Sequence, residues 1–160
     1  DMLSSKRFTK VIVFCSKKQN VKVLTAELKR AKLAVEEIHS DLDQKSREQY
    51  LQDFRNQKTN ILVATDILSR GIDIDDIDLV INYDVPNDGE DYIHRIGRTA
   101  RAATSGTAFT LVGEKEQSKF ATIEELLGAP VTKGTIPATF GPTPAYAPKI
   151  RSNKGFNHRR

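Results

Sequence analysis

Asn60-Ile61-Leu62-Val63-Ala64-Thr65-Asp66-Ile67-Leu68-Ser69-Arg70-Gly71-Ile72-Asp73 changes character near its middle. The first part is a short apolar run, and the second packs a hydroxyl, two carboxylates, an arginine and a glycine into one loop. A run that is apolar at every position is a strand buried on both faces, the habit of parallel sheets covered by helices. In such sheets ligands bind beyond the carboxyl ends of the strands, so residues 65–73 are the first place to look for chemistry. Taken singly, Asp66 reads equally well as the cap of a short helix and Gly71 as a plain turn. Those readings leave Arg70 and Asp73 without a reason to be there.

Outward from this stretch, further short runs at 11–15, 34–39, 79–82 and 107–112 read as strands alongside 60–64. Helical patterns lie between them. Ser16, with Gln19 three residues on, forms a capping-box pattern ahead of a Val21/Leu24/Leu28 stripe. A second helix covers 44–55 with Tyr50, Leu51 and Phe54 on one side, a third 89–97, and a fourth 116–127, stopped by Gly128. Strands interleaved with helices predict a three-layer α/β/α domain with a mostly parallel central sheet over residues 1–128. Five of the six prolines fall after Gly128. Residues 129–148 therefore read as an extended strap, packed through Ile136, Phe140 and Tyr146, and residues 149–160 as a disordered tail.

The chain has 160 residues, 38% hydrophobic and 29% charged, enough for one soluble domain with its own core and too few for two ordinary ones. No apolar run approaches the roughly 18 residues of a membrane span, and residues 1–10 lack the apolar centre of a signal peptide. Asp1 stands ahead of Met2, the mark of an excised fragment, expected to be monomeric. Its single cysteine, Cys15, excludes an internal disulfide and a cysteine-rich zinc site, and reads as a buried small hydrophobe in a reducing, cytoplasmic setting. No metal site is expected. The net charge of +4 is unevenly spread: no acidic residue follows Glu125. Lys149, Arg151, Lys154, Arg159 and Arg160 make the tail basic, and without them the chain carries 20 basic and 21 acidic residues. An electrostatic partner such as nucleic acid is to be sought at that tail first.

Two further clusters carry chemistry. In His94-Arg95-Ile96-Gly97-Arg98-Thr99-Ala100-Arg101, a spacing of about 100° per residue gathers His94, Arg98 and Arg101 on one side of a helix. Tyr92, Ile93, Ile96 and Ala100 fall on the other. No Asp or Glu lies between Asp91 and Glu114, so the cations call for an anionic partner, and arginine forks suit phosphate oxygens. A solvated basic face is the plainer alternative. In His39-Ser40-Asp41-Leu42-Asp43-Gln44-Lys45-Ser46-Arg47, Gln44 and Arg47 are neighbours on one face near a helix N-terminus, where phosphates are attracted. That signal is weak by itself.

In order along the chain stand Val11-Ile12-Val13-Phe14-Cys15, Gln44-x-x-Arg47, Ala64 through Asp73, Val80-Ile81-Asn82-Tyr83-Asp84-Val85-Pro86 and His94 through Arg101. Together they resemble motifs IV, IVa, V, Va and VI of the DEAD-box RNA helicases of superfamily two, over residues 10–113. The Pro-rich segment and basic tail look somewhat like the bacterial RhlE type. The resemblance implies a C-terminal RecA-like domain with arginine fingers, Arg98 and Arg101, reaching the γ-phosphate of ATP. It implies Asp73 on the nucleotide ribose and His94 as a link to the partner domain's catalytic motifs. Gln44, Arg47, Thr65, Arg70 and Gly71 would line a single-stranded RNA path, touching phosphates and sugars rather than bases. Ser40 and Ala100 stand where the family usually has glycine.

The sequence contains no G-x-x-x-x-G-K-[ST] loop and no Asp-Glu-Ala-Asp. ATP and its magnesium would therefore be held mainly by an N-terminal RecA-like domain of the same protein, with this fragment alone inactive. Two other function classes remain open at this point. One is an RNA-binding module in which the tail cations, with Phe156 and His158, supply affinity for single-stranded or duplex RNA. The other is a different doubly wound nucleotide binder with a complete site, which would need a glycine-rich loop where Ser16-Lys17-Lys18-Gln19-Asn20 stands.

Overall fold

The computed structural model describes residues 3, 8–66, 74, 77–99 and 106–149. They fall into two compact units, one ending at Leu111 and the other beginning at Val112. In the first unit the apolar runs become strands β1 (Val11–Phe14), β2 (Val35–Ile38), β3 (Ile61–Ala64), β4 (Leu79–Asn82) and β5 (Thr107–Thr110). Every neighbouring pair is parallel, in the order β2-β3-β1-β4-β5. Parallel neighbours need long crossovers. Helices α1 (Lys18–Arg30), α2 (Gln44–Arg55) and α3 (Gly89–Ile96) lie in three of them.

Successive strand residues point to opposite faces, so each central strand feeds two cores. Ile12, Phe14, Leu62 and Val80 meet Ile38 and, from α2, Leu51 and Phe54. Val11, Val13, Val63, Leu79 and Ile81 meet Val35 and, from α1, Val21. The helices α1 and α2 therefore cover opposite faces, which gives the three-layer α/β/α architecture the sequence predicts. The edge strands depart from double burial: Glu36 and Glu37 of β2 are half-buried, and Ala108 and Phe109 of β5 are exposed.

The capping box expected at Ser16 and Gln19 does not form. The N-cap of α1 is Lys17, without a side-chain cap, because Ser16 directs both its amide and its hydroxyl to Asp84. A charged acceptor held by two donors outcompetes a local cap.

In the second unit, α4 (Gln117–Leu127) ends at Gly128 with φ +69°, a left-handed C-cap. The segment that follows is fastened to α4 by side chains of the helix. Gln117 donates to Ala145 O at 2.9 Å and accepts from Ala147 N at 2.8 Å, replacing the backbone bonds a strand would supply. Glu124 accepts from Val131 N at 2.7 Å, Lys133 Nζ at 2.5 Å and Tyr146 Oη at 2.6 Å. The Lys133 ammonium lies 4.3 Å from the Tyr146 ring centroid and 5.7 Å from that of Phe120, and the two rings meet edge to face. Of the three residues expected to anchor the strap, only Tyr146 does so in this way. Ile136 and Phe140 are 54% and 77% exposed, since the Glu124 carboxylate draws polar donors and not apolar side chains.

Burial pushes the Glu124 carboxyl up, but the bonds from Lys133 and Tyr146 outweigh it and hold it below the ordinary glutamate value. The same contact raises the Tyr146 hydroxyl, through burial first and the Glu124 carboxylate second. A depressed folded-state carboxyl contributes stability above its unfolded value, about 4.3, and loses it as pH falls through the lower folded value. Strap attachment, followed by tyrosine near-ultraviolet circular dichroism, is therefore expected to hold from neutrality to about pH 4.3, to weaken below it, and to be lost only once the pH has fallen through the lower folded value. In Glu124→Gln the acid-dependent change should disappear.

Candidate functional site

The carboxyl ends of the strands assemble the site. From β1 the chain leads to β2 on one side, and from β4 to β5 on the other, so connections diverge between the adjacent strands β1 and β4. Open α/β sheets usually hold a ligand in that crevice. Here it is bridged by the protein's own side chains. Asp84, just after β4, accepts from Ser16 N at 2.9 and 3.0 Å through its two oxygens and from Ser16 Oγ at 2.5 Å.

Arg95, on α3, joins the same group and is fully buried, 0% exposed. Its Nε and Nη2 grip the two oxygens of Asp66 at 2.6 and 2.9 Å. Its Nη1 donates to Asn82 Oδ1 at 3.3 Å and to the Asp84 carbonyl at 3.4 Å, and lies 3.8 Å from Asp84 Oδ1. Nη2 also donates to Ser16 Oγ at 3.4 Å, and the guanidinium sits 5.4 Å from the Phe14 ring centroid. A guanidinium does not deprotonate in a protein, so burying it demands this degree of compensation. Asn82 carries the network on to β5 through Thr110 Oγ1 at 3.0 Å.

Beside this group the Cys15 thiol is buried and pushed up to about 12, by desolvation first and then by the Asp84 carboxylate, against an opposing pull from Arg95. It stays protonated and unreactive, consistent with its reading as a small core hydrophobe.

Helix α3 is rotated relative to the simple apolar projection. Tyr92 and Arg95 are its buried residues, and Thr99 beyond its end is buried too. Ile93, expected inside, is 44% exposed, and Ala100 lies outside the described residues. Two carboxylates at the strand ends favour a guanidinium on the inner face over a second aliphatic side chain. His94 is exposed and Arg98 half-buried, and the Arg98 amide donates to the Arg95 carbonyl at 3.2 Å. Gly106 packs directly against Thr99: a Cβ there would lie 2.2 Å from Thr99 Cβ, which only glycine avoids.

The other candidates hang from the neighbouring strands β2 and β3, paired Ile38 to Ala64. The Thr65 amide donates to Ile38 O at 3.1 Å, while its hydroxyl oxygen is buried without a partner. Arg47 is half-buried and its Nε is likewise without a hydrogen bond. Gln44 is exposed and donates to Glu48 at 2.7 Å. The N-terminus of α2 is capped by Asp43, which accepts from Ser46 N at 2.8 Å. A carboxylate already occupies the position that an incoming phosphate would take. Hydrogen bonds from the Ser46 amide and hydroxyl hold Asp43 below the ordinary carboxylate range. Arg70, Gly71, Asp73 and Arg101 lie outside the described residues, as do the tail cations except Lys149, which is exposed.

The sequence reading missed Arg95, Asn82, Asp84 and Ser16 as one network. A polar Asn82 closing the otherwise apolar Leu79-Val80-Ile81-Asn82 was the available signal, because a buried amide in a strand needs a partner.

The family described as "Helicase conserved C-terminal domain" matches residues 1–103. The ATP-dependent RNA helicase eIF4A of Scheffersomyces stipitis is 38% identical over 141 residues, covering 88% of this chain and 35% of that protein. A crystal structure of a DEAD box protein from the hyperthermophile Methanococcus jannaschii superposes with a TM-score of 0.75 at 40% identity, covering 81% of this chain and 35% of that one. The E. coli DEAD-box protein SrmB, solved bound to regulator of ribonuclease activity A, gives a TM-score of 0.78 at 33% identity, with 94% and 84% covered. The chain spans between about a fifth and about a third of the length of the curated relatives it matches. With the five-stranded parallel sheet, this settles its place: the chain belongs to the helicase conserved C-terminal domain family, as the C-terminal domain of a DEAD-box helicase.

Proposed function

We propose that this domain is the second RecA-like half of an ATP-dependent RNA helicase, acting on single-stranded or duplex RNA when joined to an N-terminal RecA-like domain. One observation carries it. The crevice at which a self-sufficient doubly wound domain would receive its nucleotide is bridged by the buried Arg95. The same helix presents His94 at the surface, with Arg98 three residues beyond Arg95. A helix so arranged serves a nucleotide held by another domain better than one of its own.

In this assignment Arg98 and Arg101 stabilise charge developing on the transferred γ-phosphoryl group, and Asp73 binds the ribose. His94 connects to the partner domain's catalytic residues. Bound ATP supplies the phosphoanhydride, and its magnesium belongs with the N-terminal domain. Gln44, Arg47, Thr65, Arg70 and Gly71 follow the RNA backbone; the buried, unpartnered Thr65 hydroxyl and Arg47 Nε support this for two of them. The RhlE-type subgroup, a cytoplasmic location and a monomeric state complete the proposal.

Titration of the chain alone with ATP, followed calorimetrically, is the test. Affinity is expected to be at least about 100-fold weaker than in the joined protein with RNA present, a difference of about 2.7 kcal/mol. Tight binding by the chain alone would instead mean a complete nucleotide site within it.

A further inference from the structure

We infer that Arg95 is a positioning residue: its buried fork fixes the roll of helix α3, and through it the place of Arg98. The inference rests on the proposed function.

The observation is one of leverage. Helix α3 has 8 residues, and its buried side chains are Tyr92 and Arg95. So short a helix has little propensity of its own, and its orientation depends on what holds its inner face. Arg95 is tied at once to Asp66 beyond β3, to Asn82 and Asp84 at the end of β4, and to Ser16 beyond β1. Three strand ends therefore converge on one side chain. Arg98 follows it by less than a helical turn, and the two backbones are bonded directly, Arg98 N to Arg95 O. A guanidinium with several donors in one plane fixes direction as well as distance. An ammonium in its place keeps the charge and satisfies fewer partners. Arg95 itself is fully buried, so it acts on the reaction only through its neighbours.

An interaction that places a group acting on the transition state shows in kcat. Displacement of a reacting group by about 1 Å costs on the order of 100-fold. In the full-length protein, Arg95→Lys is therefore expected to lower the RNA-saturated ATPase kcat by about 100-fold, with the KM for ATP and the RNA affinity changed less than about threefold. Asp66→Asn, which leaves α3 untouched and keeps a hydrogen-bonding side chain, should give the same split with a smaller loss, and serves if Arg95→Lys does not fold. In an Arg98→Lys background that retains a measurable rate, adding Arg95→Lys should cost less than about a further threefold, because both act through one group.

A wild-type kcat in both Arg95→Lys and Asp66→Asn, with only a lowered melting temperature, would make Arg95 a scaffold residue and overturn the inference. So would a full multiplicative loss in the double variant, or a loss confined to RNA affinity. Wild-type turnover in Arg98→Ala would instead remove the proposed function beneath it, so the two failures are distinguishable.

Discussion

Replacing Arg98 by alanine in the full-length protein should lower RNA-stimulated ATP turnover by about 10³–10⁵-fold, the range found for arginines that reach a transferred phosphoryl group. Its effect on folding should be small. Arg98 is half-buried and beyond the last residue of α3. Thermal melting should shift by about 1 kcal/mol equivalent, the centre of the range for point substitutions. Arg98→Lys should fall between, because an ammonium retains the charge and loses the planar fork. Steady-state and single-turnover hydrolysis with saturating RNA, beside melting curves of the same samples, separate the two effects. A variant that turns over at the wild-type rate would rule out the assignment of Arg98.

At Asp66, the carboxylate that holds Arg95, the expectation inverts. Asp66→Ala leaves the Arg95 guanidinium buried without its bidentate partner, and breaking such pairs costs about 3–5 kcal/mol. Asp66 is one-third exposed on its side chain, so the lower end, about 3 kcal/mol, is expected. Against a typical total of 5–15 kcal/mol that is a large fraction. For a chain of this size it corresponds to a fall in melting temperature on the order of 10 °C. Asp66→Ala combined with Arg95→Met should be more stable than Asp66→Ala alone, since the uncompensated charge is then removed. Strictly additive losses in that pair would show that the two side chains do not support one another.

The strands were legible because a doubly buried strand is written locally. Val11-Ile12-Val13-Phe14 and Ile61-Leu62-Val63-Ala64 need no partner to be recognised. Helix α2 was equally plain, with Leu51 and Phe54 three apart on its buried face. What escaped was written across the chain. Ser16 looked like a helix cap because its acceptor, Asp84, is 68 residues away. Arg95 was assigned to neither side of its helix, because its carboxylate, Asp66, lies 29 residues earlier in a different loop. Its angular position, between the polar and apolar sides of the projection, left the decision to tertiary contacts. The site followed the same division: that a helix carries His94 was readable, while Arg98 falls beyond its end and what holds that helix was not. Ile136 and Phe140 erred the other way, apolar residues given a core that the polar grip of Glu124 does not provide.

The Arg95 network also sets an order on the making of the chain. Its two carboxylates, at positions 66 and 84, and the strands that carry them are synthesised before the cation that balances them. A ribosome adds about 5–20 residues per second, so the nascent chain carries both acids for about 0.5–2 seconds before residue 95 is made. The strand ends that will surround a guanidinium are first a place of mutual repulsion, and close docking of β3, β1 and β4 is discouraged until α3 has been made. Premature collapse of the half-made sheet is thereby opposed by charge until the guanidinium arrives, with β5 added later still.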